Sequence, residues 1–418
     1  MLSINNHHPL IAESEPQLAY AAFIYGTSKK WIYVTRTTPN ISEMLKPLEY
    51  IIQESFIPAI VGKSFFDDDM RKILALPARH GGLGIGNVTE LSQKEYENSV
   101  LLTSQLTSAI LHQEKNLTID QRQIEEDRKR VIAEKESFYK EKKDAMMTSL
   151  PKSIARQLEL ISESGVSCVL TTLPLKEYGF TLNKREFHDY IAFRYNLKIS
   201  DMSRICGCNQ ENSINHSLIC KKGGYPILRH NSLCRVISEL LVEAGCSDVV
   251  LEPVLQDLSG EVLPSGSNTS PNARLDVSCR SFWSPLDKVF TDVRIFHGQA
   301  PSNAKMTVKK MYEHHEQRKK AEYNRRVLDI EKGCFTPIVF STTGGMGVEA
   351  QRFFKRTAEK IAMKKDTPYP KVMSFVRRRV RFDLVKTTLI ALRGFRGKVL
   401  QVPEKISNLD MHLEQKAF

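Results

Sequence analysis

A chain of 418 residues that is 41% apolar and 26% charged has room for two to four folding units at about 150 residues each. That balance excludes a wholly disordered or collagen-like polymer. No apolar run approaches the ~20 residues of a membrane span, and MLSINNHHPL lacks a basic-then-apolar leader. Eight cysteines are too few for a disulfide scaffold, so a reducing compartment is expected. The net charge of +12 is concentrated, because Arg352 to Lys398 alone carries 15 basic and 3 acidic residues. Such a field favours a polyanion, most often nucleic acid.

Residues 16–118 read as helical, with Leu45, Leu48, Ile51 and Ile52, then Leu101, Leu102, Leu106 and Ile110, at helical spacing. Asp67, Asp68 and Asp69 cannot share one face, so they suit a helix N-terminus better than a metal site. In residues 119–150 the character changes to a charged helical linker and a boundary between units. There, 15 of the 25 residues from Gln121 to Ala145 are charged, and Glu126 and Arg130 form an i,i+4 pair. Residues 151–205 suggest short helices.

Residues 206–224 bring Cys206, Cys208, His216 and Cys220 together with the spacing of a structural zinc site, since the His-x3-Cys pair fits one helical turn. A helix from Asn231 to Ala244 follows, with Val236, Leu240 and Leu241 on one face. Strands are predicted at 249–255, 273–282 and 288–296, a long polar helix at 302–331, and a buried strand at PIVFST. Glycines 344, 345 and 347 read as a tight turn into a helix, since a P-loop would need Gly-Lys-Ser/Thr. Two basic helices fill 346–400. The order α–β–β–β–α–β over 225–345 predicts an α+β fold.

Strict alternation in ARLDVSCRSF puts Ala273, Leu275, Val277 and Cys279 on an apolar face and Asp276 on the polar one. In KVFTDVRIFH, Asp292 and Arg294 point one way and Val293 and Ile295 the other. Two carboxylates on neighbouring strands can hold Mg²⁺ against a phosphodiester, which is the physical content of the PD-(D/E)-x-K nuclease pattern. Arg294 occupies the lysine position of that pattern, and arginine transfers protons poorly. Glu316, Lys319 and Tyr323 share one stripe of the long helix, from which Lys319 can reach over the aspartates. The run Arg377, Arg378, Arg379 and Arg381, beside Phe375 and Phe382, reads as an amphipathic helix turning its basic side to DNA.

These motifs resemble a known family. LPARHGGLGI is similar to the segment following the thumb in reverse transcriptases of non-LTR retroelements. CGCNQENSINHSLICKKGGYPILRHN, ARLDV, TDVRIF and KKAEYNRRVLDIEKGCFTPIVFSTTGGMG resemble the C-terminal half of retroelement polyproteins that carry a zinc knuckle and a restriction-like endonuclease. The resemblance runs from about Leu18 to Gly397. It implies nicking of chromosomal DNA to prime reverse transcription, with DNA and element RNA as partners; that substrate and the basic clusters give the nucleus as the expected location, with the cytoplasm as the alternative. Under it Asp276 and Asp292 bind Mg²⁺, Lys319 is the displaced catalytic lysine with Tyr323 as neighbour, and Arg229, His230 and Asn231 contact or shape the DNA site.

Two departures qualify that expectation. The polymerase palm with its catalytic acids is missing, so the chain is expected not to polymerise DNA. Relatives often carry Glu directly after Arg-His-Asn and Asp three residues later, where this sequence has Ser232 and Arg235. Glu239 or Glu252 is the replacement on offer. The alternative is a non-catalytic, zinc-dependent nucleic-acid-binding remnant.

Overall fold

The computed structural model describes residues 8–63, 67–114, 119–199, 201–394 and 396. They form two compact units: the chain up to Leu158 with Thr181–Ile191, and Glu159–Phe180 with the chain from Ala192 onward. None of the described helices is long and apolar enough to cross a membrane.

The first unit is helical. Asp67 caps the helix Asp68–Ala75 by accepting from the Met70 amide at 2.8 Å, which is the role expected of that acidic run. Helix α1 (Val88–Leu111) is capped by Asn87 and helix α2 (Gln121–Ser149) by Asp120. Two sequence readings are refined here. Leu106 and Ile110 are exposed, so the stripe on α1 is helical without being core. Helix α2 is not a free linker either, because Val131 is buried and Lys135 pairs with Glu95 at 2.6 Å. Arg130 reaches forward to Glu134 at 3.4 Å, the charge order with the dipole against it, and no bond to Glu126 is formed among the described contacts.

The second unit is a mixed α+β fold. Helix α3 (Ile214–Ile219) and helix α4 (Tyr225–Glu243) precede strands β1 (Ser247–Leu251), β2 (Val277–Arg280) and β3 (Lys288–Phe296). Helix α5 (Val308–Asp329), strand β4 (Cys334–Ser341), helix α6 (Val348–Lys364) and helix α7 (Tyr369–Arg393) follow. The strands lie in the order β1-β2-β3-β4, antiparallel except for β3 and β4. Two parallel neighbours need a crossover, and α5 supplies it.

Alternation along β3 serves two faces. Val289 and Val293 join Leu233, Ile237 and Leu240 of α4, Phe353 and Phe354 of α6 and Val376 and Val380 of α7 in the main core. Phe290 and Phe296 face the other way, where Tyr323 and Val327, and Met311 and Tyr312, of α5 cover them. Both faces are therefore dry, which explains the near-continuous apolar run of β4. The turn at 342–347 enters α6 as expected. Gly344 takes φ +100°, and a side chain on Gly345 would put Cβ 2.1 Å from the Tyr312 hydroxyl.

The alternation predicted for 273–279 does not hold. Val277 and Cys279 enter the main core, but Ala273 and Leu275 pack on the opposite side with Tyr323 and Val327. The chain bends at Asp276, and β2 begins only after it. Local bonding fixes the bend: the Asp276 amide donates to the Thr291 carbonyl at 3.0 Å, and its carbonyl accepts from Glu252 at 2.9 Å. Its carboxylate also accepts from the Val293 amide. Asp276 thus sits where the strand changes faces, beside both α4 and β3.

Candidate functional site

Two groups of metal-ligating side chains lie in the second unit, joined through α4. The first is the Cys/His cluster. The Cys206 amide donates to the Gln210 carbonyl at 2.9 Å, closing a tight turn that carries both Cys206 and Cys208. Ser213 caps α3 by accepting from the His216 amide, and Cys220 ends that helix. Gly207, between the first two cysteines, lies against the backbone of Arg396, where a Cβ would come 1.8 Å from the carbonyl.

All four donor atoms lie within 4.8 Å of one another. The Cys206 and Cys220 sulfurs are 3.7 Å apart, and Cys208 Sγ is 3.3 Å from His216 Nε2. Tetrahedral zinc with Zn–S of ~2.3 Å has an S–S edge of about 3.8 Å, so these two separations lie close to what that ion needs. Backbone donation at Gln210 holds the Cys208 thiol below its usual value, favouring the thiolate a metal needs. The cluster can hold a metal ion and is compatible with zinc.

From the cluster, Gly223 and Gly224 lead into α4 at φ +83° and +74°, a left-handed pair that glycine alone adopts without strain. Arg229 is buried and donates to the Leu218 carbonyl at 3.1 Å. It braces α3 against α4 and cannot itself reach DNA. Burial pulls its guanidinium down to about 10.

The second group surrounds Asp276 and Asp292. Lys319 of α5 holds Nζ 3.1 Å from Asp292 Oδ1 and 3.0 Å from Oδ2. The approach to Oδ2 is poorly aligned, so this buried oxygen receives no hydrogen bond. Burial and then the Asp276 charge push the Asp292 carboxyl up to about 6, with Lys319 pulling against them. Asp292 thus has one buried oxygen without a hydrogen bond and feels the charge of a second carboxylate. Burial would lower Lys319, but Asp292 and Glu322 outweigh it and keep the ammonium charged. Tyr323 places its ring 5.3 Å from Nζ and its hydroxyl 3.2 Å from Asn268 Nδ2, which donates to it. Glu316 lies on the same helix but accepts from the Glu349 amide at the start of α6 instead.

His230 projects from α4 to the same place, with Nε2 3.1 Å from Asp276 Oδ2. Burial opposes its charge, but the Asp276 hydrogen bond raises it to about 11. Neither candidate replacement acid completes the group. Glu239 is bound to Arg379, and Glu252 is exposed and 3.7 Å from Arg274. Ser232 donates to the buried Asp383 at 2.6 Å, so a glutamate there would face a second carboxylate. Burial pushes Asp383 up to about 6, against that hydroxyl. Ser232→Ala is expected to cost about 1–3 kcal/mol by removing the donor from a buried acid. A lowered urea midpoint with unchanged slope checks this.

The basic run divides in use. Arg377 is exposed and Arg378 half-buried, while Arg379 is engaged with Glu239 and Glu243. Arg381 is buried, donating to the Gly344 and Ser164 carbonyls, both at 3.2 Å. It therefore serves the fold rather than a surface. Lys365 likewise meets Glu243, and Arg352 lies 3.7 Å from Glu349. Tertiary pairing thus neutralises part of the field that the segment arithmetic assigns to 352–398.

Sequence reasoning gave Asn231 a DNA role and overlooked Cys234, whose sulfur lies 3.9 Å from His230 Nε2. The His230/Cys234 spacing of one helical turn was the available signal. Asn231 turns its amide oxygen to His230 Nδ1 at 3.2 Å. Compared with known proteins, the chain matches no family model and no curated sequence, and the reading of the site rests on its own geometry.

Proposed function

We propose that the second unit is a restriction-like, metal-dependent DNA endonuclease of retroelement descent, with Cys206, Cys208, His216 and Cys220 as its zinc knuckle. The observation that carries this reading is that Lys319 reaches Asp292 from the facing helix while Asp276, at the strand bend, is bonded to Thr291 and Val293 on either side of Asp292. A mixed sheet crossed by α5 is the framework such a centre needs. In this reading Asp276 and Asp292 hold a divalent ion, Mg²⁺ by the oxygen donors they offer. When bound, the ion polarises a phosphate oxygen and lowers the pKa of a water. Lys319 stabilises the charge that builds on the phosphate as the bond breaks. Asp292 keeps Lys319 placed and charged, and the Tyr323 ring supports it from below. The first unit is read as thumb-like, with DNA and element RNA as partners and the nucleus as location.

Supercoiled plasmid given Mg²⁺ or Mn²⁺ and zinc-replete protein is expected to become a nicked circle whose 3′ ends a polymerase extends. EDTA should block the conversion. Plasmid that stays supercoiled with every divalent ion tested would sink the nuclease reading.

The second reading is a non-catalytic nucleic-acid-binding remnant, favoured by Ser232 and by Glu239 being spent on Arg379. Binding in either case depends on phosphate contacts. Arg377→Ala is expected to weaken binding uniformly across sequences and to reduce the salt slope by about 1. Filter binding across a salt series reads this, and an unchanged slope would remove Arg377 from the interface.

A further inference from the structure

We propose that His230, Cys234 and Asp276 form a second transition-metal site, distinct from the four-donor cluster and suited to zinc or a similarly thiophilic divalent ion. The site shares Asp276 with the proposed hydrolytic centre and extends that reading, but its donors argue for themselves. Residues four apart on a helix stand on one face, so α4 presents the His230 imidazole and the Cys234 sulfur together. The bend at Asp276 brings a carboxylate to the same spot, and the three donor atoms lie within 4.8 Å of one another.

The separations are close to those of a coordination shell. Nε2 is 3.9 Å from Sγ, which also lies 3.8 Å from Nδ1 and would swing toward the Nε2 edge to share an ion, and 3.1 Å from Asp276 Oδ2. Tetrahedral zinc would set those edges at about 3.5 and 3.3 Å. Asn231 supplies the orienting partner: its amide oxygen lies 3.2 Å from His230 Nδ1. An acceptor there calls for the proton on Nδ1, leaving the Nε2 lone pair aimed at a carboxylate oxygen. Histidine metal ligands are held in that way. At 3.1 Å Nε2 and the carboxylate need a positive charge between them, supplied by the His230 proton in the metal-free chain or by a metal ion in its place. A proton would meet the need of the histidine and aspartate alone, but it gives the sulfur no role, whereas a soft ion uses all three donors.

Cys234 is buried while the His230 side chain is 32% exposed. The fourth position therefore opens toward solvent, as in zinc sites that keep a water or substrate oxygen. The cluster at 206–220 is closed by four protein donors. Mg²⁺, which prefers oxygen, would not select the sulfur.

The test is metal content of the full-length chain, loaded with zinc and then dialysed against metal-free buffer. Two zinc ions per chain are expected in the wild type and one in both His230→Ala and Cys234→Ser, each confirmed folded by its melting transition. Cobalt added to wild type stripped of its weaker ion should give a near-ultraviolet thiolate band that Cys234→Ser lacks. One zinc per chain throughout, or two that survive both substitutions, would overturn the site. Two ions without DNA cleavage would leave the site standing and remove the nuclease reading. Cleavage with one ion would do the reverse.

Discussion

Asp292→Asn is expected to abolish metal-dependent cleavage while making the metal-free protein more stable at neutral pH. Under the proposed function the catalytic loss follows from removing a ligand of an ion that would contribute several kcal/mol of transition-state stabilisation, a fall of about a thousandfold in rate. The stability gain follows from proton linkage. In the folded chain the Asp292 carboxyl is pushed up to about 6 by burial and by Asp276, above the ~3.9 of an unfolded aspartate. A group raised on folding binds its proton more tightly when folded, so stability is lost as pH rises from about 4 to about 6 and the full cost stays above that. At pH 8 the cost is roughly 3 kcal/mol, which an amide does not incur. Urea unfolding in EDTA at pH 8, 5 and 3.5 checks this: the variant should gain most at pH 8, about half as much at pH 5 and little at pH 3.5. A variant less stable than wild type at pH 8 would mean that the Lys319 contact outweighs the burial of charge.

Cys208→Ser is expected to release the metal of the Cys/His cluster and loosen the start of α4. Structural zinc binding contributes on the order of 10–16 kcal/mol in small sites. Losing one donor in four therefore forfeits about 3 kcal/mol and weakens affinity more than a hundredfold. The damage should spread along a definite route, because Arg229 joins α3 to α4 through Leu218 and α4 carries His230 to Asp276. Hydrogen exchange should accelerate across 206–230 and remain slow in β3 and β4, whose residues are buried on both faces. Protection unchanged in 206–230 after zinc loss would show that the turn and α3 stand without metal.

Much of the second unit was legible because its signals are local. The zinc spacing, the long polar helix, the strand at Lys288–Phe296 and the Gly344–Gly347 turn each depend on residues close in sequence. The pairing of Asp292 with Lys319 was also foreseeable, since a helical stripe and a strand period each have one polar side. What escaped was tertiary. Ala273 to Cys279 alternates without a break, yet the face reverses at Asp276 because its carboxylate caps Val293 and its backbone joins Thr291 and Glu252. Nothing in the local pattern records those partners.

The basic segment misled for a similar reason. Counting charges along the chain cannot show that Glu239 and Glu243 fold against it, nor that Arg381 is consumed by backbone carbonyls. Leu106 and Ile110 have helical spacing, but spacing alone does not say whether another element arrives to cover them. His230 had been assigned to DNA by resemblance, and only the fold brings it to Asp276.

The central claim is that Asp276, Asp292 and Lys319 act as one metal-dependent hydrolytic centre. Single-turnover cleavage of an end-labelled DNA duplex, at equal DNA occupancy, tests it most directly across wild type, Asp276→Ala, Asp292→Asn and Lys319→Ala. The account predicts Mg²⁺- or Mn²⁺-dependent cleavage in the wild type, with losses of about a hundredfold or more in each variant. Cleavage that persists in all three variants, or that ignores EDTA, would contradict it.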